Sequence, residues 1–323
     1  MLNKIGLVLA GGGGKGAYHI GVWRALRQYG ADKNISSISG TSVGALNAAL
    51  FSVGDYELAE DIWLNLSYDK VLSVDKKNLI SSLMSLGIGG LSLSVAVLSA
   101  MSGAGFFTRK GLTEIMSRLN FDSLRYSDKN IFAGVYNISK MQMEYLPLNG
   151  QSNERVKKIL LASSALPIIY PPENIDGSKY IDGGVSDNVP VKPLHQNGCK
   201  IILAVHLSRD SLINNIQQYD DTKIFEIVPS SDQGNILTGT LDFSREGIRQ
   251  RMQLGYDDTC RILEPIYNMG MIQKKFSFVA KRMLEDEQIT RQKLSSLATE
   301  RENIYNERER FKKELERELE RLL

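Results

Sequence analysis

The sequence predicts an α/β fold with a mostly parallel central sheet, followed by a long C-terminal helix. The first observation is an apolar run over residues 5–10, followed by a glycine loop and an amphipathic segment over 16–29. The second is another short strand candidate over 34–38, which leads into a good helix former from Val43 onward. Such strand–helix–strand units pair in parallel through right-handed crossovers. The third is the absence of Gly and Pro from residue 284 to the end, which favours one continuous helix.

Length and composition limit the classes of function. The 323 residues are 42% hydrophobic and 24% charged, which is typical of a soluble globular protein with one large domain or two small ones. A net charge of +2 predicts no strong attraction to nucleic acid. The two cysteines lie far apart, which suits a reducing compartment, and with only three histidines we expect no metal and no other cofactor.

The apolar run at the N-terminus differs from a signal peptide. It is too short, and it ends in glycines rather than in a small-residue cleavage site. We interpret it as the first buried strand, and we expect the protein to be cytoplasmic.

The remaining elements continue the pattern along the chain. A helix is predicted over 55–75, followed by a hairpin-like pair of strands over 131–137 and 143–146. Further predicted elements are a helix over 156–164, strands over 179–181, 200–207 and 224–229, and a helix over 244–263. Pro265 should end or kink that last helix, because proline lacks the backbone N–H and its ring clashes with the preceding turn.

A serine lies between two glycines in the stretch Gly40-Thr41-Ser42-Val43-Gly44. A nucleophilic serine needs this spacing when it occupies a sharp turn between a strand and a helix, because side chains two residues away on either side would collide. The free N–H groups at the start of the following helix would then point toward the serine oxygen. Taken alone, the pattern also fits an ordinary turn that enters a helix.

The glycine loop, residues 11–16, allows more than one interpretation. Gly11, Gly13 and Gly16 match the dinucleotide-binding fingerprint, but the second strand does not end in the acidic residue which that site requires. A Walker loop would need Ser or Thr after Lys15, and glycine stands there. The remaining use is an oxyanion hole, in which backbone N–H groups approach a tetrahedral intermediate and the Lys15 cation stands beside them.

An acidic residue, Asp182, ends a predicted strand and is followed by Gly183 and Gly184. A Ser-His-Asp triad would take its base from His195 or His206. His206 lies in an apolar strand, which favours a core position, and His195 is interpreted in the same way. A Ser-Asp dyad is the alternative, because a carboxylate in a water-poor pocket gains basicity and can accept the serine proton directly.

Four motifs, taken together in this order, resemble those of the patatin-like phospholipase family over about residues 4–230. They are the glycine loop, the serine motif, the block Ala162-Ser163-Ser164-Ala165-x-Pro167, and Asp182-Gly183-Gly184. The last motif reads Asp-Gly-Gly where Asp-Gly-Ala is also common in the family.

The resemblance implies a three-layer α/β sandwich and hydrolysis of fatty acyl esters of lipids by a Ser-Asp dyad. Ser42 would be the nucleophile and Asp182 the base, with no histidine or metal needed. The implied oxyanion hole consists of Gly11, Gly12 and Gly13, with Lys15 beside them. The partner is then a lipid substrate at a membrane surface, to which the protein would bind peripherally. Two rival hypotheses stay open, a Rossmann-type cofactor module and a catalytically idle scaffold.

The segment from Asn78 to Thr108 contains no charged residue. It is long enough to span a bilayer, but its glycines and serines keep its hydropathy modest. We favour a lid or membrane-touching flap over the active site, and a buried core helix or a transmembrane helix are the alternatives. Arg109 and Lys110, directly after it, would suit anionic headgroups.

The sequence predicts a hydrolase domain over about 1–280 and a charged helical tail over 281–323. Apolar residues of the tail recur at three- and four-residue spacing, at Leu294, Leu297, Ile304, Phe311, Leu315 and Leu322. Arg301 and Arg308 interrupt this stripe, which gives a broken coiled-coil seam. The tail either packs on its own domain or mediates homo-oligomerisation or binding of a partner protein.

Overall fold

The computed structural model describes residues 4–66, 110–167, 170–213 and 215–322. The segment 78–108, for which we predicted a flap, lies outside these ranges. The chain divides into two compact units, Met1–Leu263 and Glu264–Leu323. The functional boundary near residue 280 stays a prediction.

The first unit contains an eight-stranded sheet with the order β5-β6-β3-β2-β1-β7-β8, and β4 pairs with β3 outside this path. Every pair from β3 to β8 along this order is parallel, whereas β4, β5 and β6 add antiparallel pairs. The prediction of a mostly parallel sheet is thus confirmed. The strands are β1 (Ile5–Leu9), β2 (Ile35–Thr41), β3 (Asn130–Asn137), β4 (Gln142–Pro147), β5 (Glu173–Ile175), β6 (Ser178–Asp182), β7 (Ile201–Val205) and β8 (Lys223–Ile227).

Buried side chains cover both faces of the sheet. Leu7 and Leu9 belong to one apolar cluster, and Val8 between them belongs to a second cluster with Leu194. Because successive residues of a strand point to opposite faces, β1 is covered on both sides, as parallel strands require. The helices are α1 (Ala17–Gln28), α2 (Val43–Val53), α3 (Tyr56–Leu64), α4 (Lys110–Ser117), α5 (Phe121–Arg125), α6 (Asn153–Ser163), α7 (Lys192–Gln196) and α8 (Arg245–Leu322).

Two helix ends differ from the sequence prediction. Helix α3 ends at Leu64 rather than near residue 75, because Asn65 caps it: its side-chain Nδ2 and its backbone N–H both donate to the Asp61 carbonyl. Helix α8 does not end at Pro265 but continues to Leu322, and a kink at Pro265, the other predicted outcome, stays a prediction. Proline removes one backbone donor and its ring crowds the carbonyl of the preceding turn, yet the helical hydrogen bonding continues on both sides of it.

None of the helices in the described ranges is both long enough and apolar enough to cross a membrane.

Candidate active site

Ser42 occupies the sharp turn between β2 and α2 that the glycine spacing predicts. Its backbone has φ 58° and ψ −128°, which costs a residue other than glycine on the order of 1–3 kcal/mol. A Cβ on Gly40 would lie 2.2 Å from the Gly44 carbonyl, and one on Gly44 would lie 2.0 Å from the Leu9 carbonyl oxygen. Only glycine therefore fits at these two positions, and the turn holds the serine in its unfavourable conformation.

Asp182 ends β6 and is 1% exposed. Its Oδ1 accepts a hydrogen bond from the Gly184 N–H at 2.8 Å. Burial raises the pKa of Asp182 to about 6, and interactions with the Ser42 side chain and the Gly184 N–H limit this rise. Within the described ranges, no other hydrogen bond reaches the buried second oxygen, Oδ2, so this oxygen is available to Ser42.

The two histidines considered for a triad are engaged elsewhere. His206 Nε2 lies 2.9 Å from Glu226 Oε1, and His195 Nδ1 lies 2.9 Å from Thr222 Oγ1. In the part of the chain that the structure describes, neither histidine has a recorded contact with Ser42 or Asp182. Asp182 is therefore the candidate base that the geometry supports.

The glycine loop includes a short 3₁₀ turn, Gly13–Gly16. Gly11 N–H donates to the Asn188 carbonyl at 3.2 Å, and Asn188 Nδ2 donates back to the Gly11 carbonyl at 3.1 Å. The Gly11 N–H is thus already paired, which does not fit the donor role that the family resemblance implies for it. The N–H groups of Gly12 and Gly13 have no recorded partner among the described residues and remain candidate donors.

The same loop packs closely against the segment Thr240–Asp242. Gly13 has φ +56°, and a Cβ there would lie 2.3 Å from the Thr240 carbonyl oxygen. A Cβ on Gly14 would lie 2.2 Å from the Asp242 carbonyl oxygen. Only glycine therefore permits this close packing of the loop against the segment.

Lys15 adds a cation beside these glycines. Burial lowers its pKa, while the carboxylates of Asp232 and Asp210 act in the opposite direction and Arg251 lowers it further. A Cβ on Gly239 would lie 2.5 Å from Lys15 Cε, so the aliphatic part of the Lys15 side chain packs closely against Gly239.

A cavity of about 420 Å³ brings the candidate residues together. The polar residues that line it include Lys15, Ser42 and Asp182. The predicted site glycines on its wall are Gly11, Gly12, Gly13 and Gly184. The other predicted site glycines do not line the cavity but permit close packing behind its wall; they are Gly16, Gly40, Gly44 and Gly183. A Cβ on Gly16, for example, would lie 2.6 Å from Val43 Cγ2. Most of the remaining wall is apolar, with Leu46, Leu50, Ile62, Trp63, Leu112 and Phe243 among its residues.

Three residues that support the site were not identified as such from the sequence. Asn188 ties the glycine loop to the segment after Asp182, and Ser163 accepts the Ser42 N–H at 2.9 Å. Asn47 is buried, accepts from Trp63 Nε1 at 2.9 Å and donates to the Gly16 carbonyl at 3.0 Å. Ser163 belongs to the block of residues 162–167 that carried the family resemblance, so a signal for it existed, whereas Asn188 and Asn47 depend on contacts between distant segments.

Comparison with known proteins gives one family match. A model described as "Patatin-like phospholipase" matches residues 7–195. Curated relatives include "Lysophospholipase NTE1" of Scheffersomyces stipitis (29% identity over 205 residues) and of Meyerozyma guilliermondii (30% over 205), each match covering 63% of this chain. Another is "Lysophospholipase nte1" of Aspergillus terreus, at 29% over 221 residues and 68% of this chain. The matched region spans only about an eighth of the length of these relatives, 12% or 13%.

Two solved structures are also similar to this chain. "Crystal structure of VipD from Legionella pneumophila" matches with 17% identity and a TM-score of 0.47, over 81% of this chain and 67% of that one. "Crystal structure of type III effector protein ExoU (exoU)" matches with 19% identity and a TM-score of 0.43, over 82% of this chain and 53% of that one.

Proposed function

The chain belongs to the patatin-like phospholipase family, and from this membership and the geometry of the cavity we propose that it is a serine hydrolase of lipid acyl esters. One observation carries the proposal. A serine held at positive φ on a strand–helix turn shares a largely apolar cavity with a buried carboxylate. An apolar wall suits a fatty acyl chain, and the two polar side chains suit the ester at its end.

The reaction follows from the roles that these groups can take. Ser42 Oγ attacks the acyl carbonyl while Asp182 accepts its proton, and the N–H groups of Gly12 and Gly13 stabilise the oxyanion. Asp182 then returns the proton to the leaving alcohol, and the acyl group stays on Ser42 until water releases it. The raised pKa of Asp182 makes this carboxylate a stronger base than an exposed aspartate.

We further propose that the substrates are lysophospholipids or phospholipids at a membrane surface. The curated relatives bear the name lysophospholipase, which favours testing a single-chain lipid first. A phospholipid and a short soluble ester complete the set of substrates, because the ester reports the chemistry without the membrane step.

The test is labelling with a fluorophosphonate probe followed by identification of the modified residue. We expect a single modified site at Ser42, with no labelling of Ser42→Ala. Labelling elsewhere, or lipid hydrolysis by Ser42→Ala at the wild-type rate, would contradict the proposal. Absence of both labelling and hydrolysis in the wild-type protein would favour an idle scaffold, and stabilisation by NAD would favour a cofactor module.

A second proposal concerns the tail, which we assign to assembly rather than to chemistry. Leu294, Leu297, Ile304 and Phe311 are each at least half exposed in the second unit. An isolated helix in water gains most of its stability from packing its apolar side chains. Contact with a second copy or a partner helix would supply this packing.

A further inference from the structure

The first turns of the second unit differ in charge from the rest of the long helix. Residues 266–284 contain four basic residues, Lys274, Lys275, Lys281 and Arg282, and no acidic residue. From residue 285 onward the charges alternate in sign. This concentration of positive charge is local, because the whole chain has a net charge of only +2.

Five exposed apolar residues of the 266–284 segment form one face. With 3.6 residues per turn, Met269, Ile272, Phe276, Val279 and Met283 fall on the same side of the helix. Each of the five is more than half exposed, and Phe276 reaches 74%. Lys274 and Lys281 lie on the opposite side of the helix, and Lys275 and Arg282 lie along one flank of the apolar face. Phe278, which is 63% exposed, also lies on the opposite side. The five residues therefore form an apolar face with basic residues along one edge.

We propose that the 266–284 segment binds the surface of a membrane that contains anionic phospholipids. The apolar face would enter the boundary between headgroups and acyl chains, and the lysine and arginine side chains would reach the phosphate groups. Net positive charge complements such a surface, whereas a mixed-charge helix would gain little from it. Lys281 lies 3.9 Å from Glu285, at the start of the mixed-charge part, so Lys274 and Lys275 are the residues to test. The proposal does not depend on the hydrolase activity, because it concerns binding alone.

The experiment uses full-length Ser42→Ala, so that hydrolysis cannot alter the vesicles. Co-sedimentation is measured with vesicles of phosphatidylcholine alone and with vesicles that also contain phosphatidylserine. We expect preferential binding to the anionic vesicles, and the double variant Lys274→Glu/Lys275→Glu should weaken that binding at least about tenfold.

The matched control is Lys312→Glu/Lys313→Glu, an adjacent lysine pair in the mixed-charge part of the same helix. It should bind like the parent protein. Equal loss in both variants, or no loss at Lys274 and Lys275, would overturn the proposal. Absence of vesicle binding together with a lower mass for Phe276→Asp in light scattering would show that the face joins protein copies instead.

A different observation concerns the main chain around the site. Ser163, at the end of α6, is fully buried; its Oγ accepts the Ser42 N–H at 2.9 Å and donates to the Gly134 carbonyl at 2.7 Å. Two residues later, the Ala165 carbonyl accepts the Asp182 N–H at 3.0 Å. One short segment thus holds the backbone of both the candidate nucleophile and the candidate base.

We infer that Ser163 is a positioning residue that sets the orientation of Ser42 toward Asp182; this inference rests on the proposed function. Its hydroxyl is the acceptor for the backbone N–H of a residue at positive φ, so its loss would leave that partly buried N–H unpaired. The turn could then relax and move the Ser42 oxygen away from the ester carbonyl. Small displacements of this kind lower the rate of the chemical step rather than substrate binding.

Ser163→Ala tests this inference, with Ser39→Ala as the matched control. Ser39 is also a fully buried serine, in β2, but its Oγ donates to the Pro190 carbonyl at 2.6 Å and its side chain does not hold Ser42. Both variants should lose thermal stability to a similar extent. Only Ser163→Ala should lose kcat on a soluble ester, by about 10- to 100-fold with little change in KM.

Ser163→Thr keeps the hydroxyl and should recover most of kcat, and Ser163→Cys, a weak hydrogen-bonding group of similar size, replaces the alanine variant if that one does not fold. Wild-type kcat in a folded Ser163→Ala or Ser163→Cys protein, or an equal loss in Ser39→Ala, would overturn the inference. Failure of the fluorophosphonate probe to label wild-type Ser42 would instead contradict the proposed function itself.

Discussion

Each of the two compact units of the chain is stabilised internally by a different kind of contact. In the first, side-chain hydrogen bonds join residues far apart in sequence, such as Tyr18 to Asp258 and Ser163 to Ser42. In the second, side-chain bonds join residues within one turn of the helix, as between Arg291 and Glu287. Long-range bonds can fix two reacting groups in space, whereas local bonds shape a surface. We therefore expect substitutions in the first unit to change chemistry and those in the second to change association.

The largest expected effect is that of Ser42→Ala. It should lower kcat for ester hydrolysis by at least about 10⁴-fold, because no other residue supplies the nucleophile in the proposed mechanism. Circular dichroism and the melting temperature should stay close to wild type. A rate near that of the wild type on a soluble ester would contradict this expectation, because the nucleophile would then be a residue other than Ser42.

Asp182→Asn should abolish hydrolysis and at the same time stabilise the protein at pH 8. Burial raises the pKa of Asp182 from 3.8 to about 6, so the folded state holds its proton more tightly than the unfolded state. The wild type therefore loses stability as pH rises from 3.8 through about 6, by on the order of 2–3 kcal/mol. Asparagine avoids this loss, and the variant should melt higher at pH 8 but not at pH 3.5.

The pH dependence of the wild-type enzyme provides the control for that substitution. Its kcat should fall as pH decreases through about 6, because a protonated Asp182 cannot accept the serine proton. Equal melting temperatures of the two proteins at pH 8, together with a flat rate profile, would remove Asp182 from the role of base.

Smaller effects are expected in the glycine loop. Gly13→Ala should lower kcat by about 10²–10³-fold with little change in KM, because the residue has φ +56° and a Cβ would lie 2.3 Å from the Thr240 carbonyl oxygen. Gly12→Ala should have a milder effect, since its Cβ would meet side-chain rather than backbone atoms, at 2.9 Å from Leu207 Cδ1 and 3.2 Å from Leu207 Cβ. A rise in KM at constant kcat would indicate a binding feature rather than an oxyanion hole.

The smallest effect on chemistry is expected from deletion of residues 286–323. Soluble-ester hydrolysis should stay at the wild-type level, while light scattering should show a lower mass. The deletion retains the 266–284 segment, so vesicle binding should also persist. An unchanged number of subunits in the truncated protein would contradict assembly through the tail, and loss of soluble-ester activity would contradict the separation between the two units.

The sequence predicted those parts of the fold that depend on local pattern. The apolar runs of β1, β2, β3 and β7 were each placed close to their observed positions, and the glycines around Ser42 indicated the turn. What it could not show were interactions between distant segments. The bond from Gly11 N–H to Asn188 spans 177 residues, and the one from Ser42 to Ser163 spans 121. The periodicity of apolar residues does not reveal such pairs. The continuation of α8 through Pro265 likewise depends on the stability of the whole helix relative to the cost of the proline, which the proline alone does not decide.

The position of β3 in the sheet has a consequence for how the protein unfolds. This strand pairs with β2, which leads to Ser42, with β6, which ends in Asp182, and with β4. Amide protons of β3 should therefore exchange with solvent only on global unfolding, whereas those of the edge strands β5 and β8 should exchange through local fraying. A denaturant titration followed by hydrogen exchange should then show that hydrolysis persists at denaturant concentrations where the edge strands already exchange. Hydrolysis should be lost at the concentration where the amide protons of β3 lose their protection.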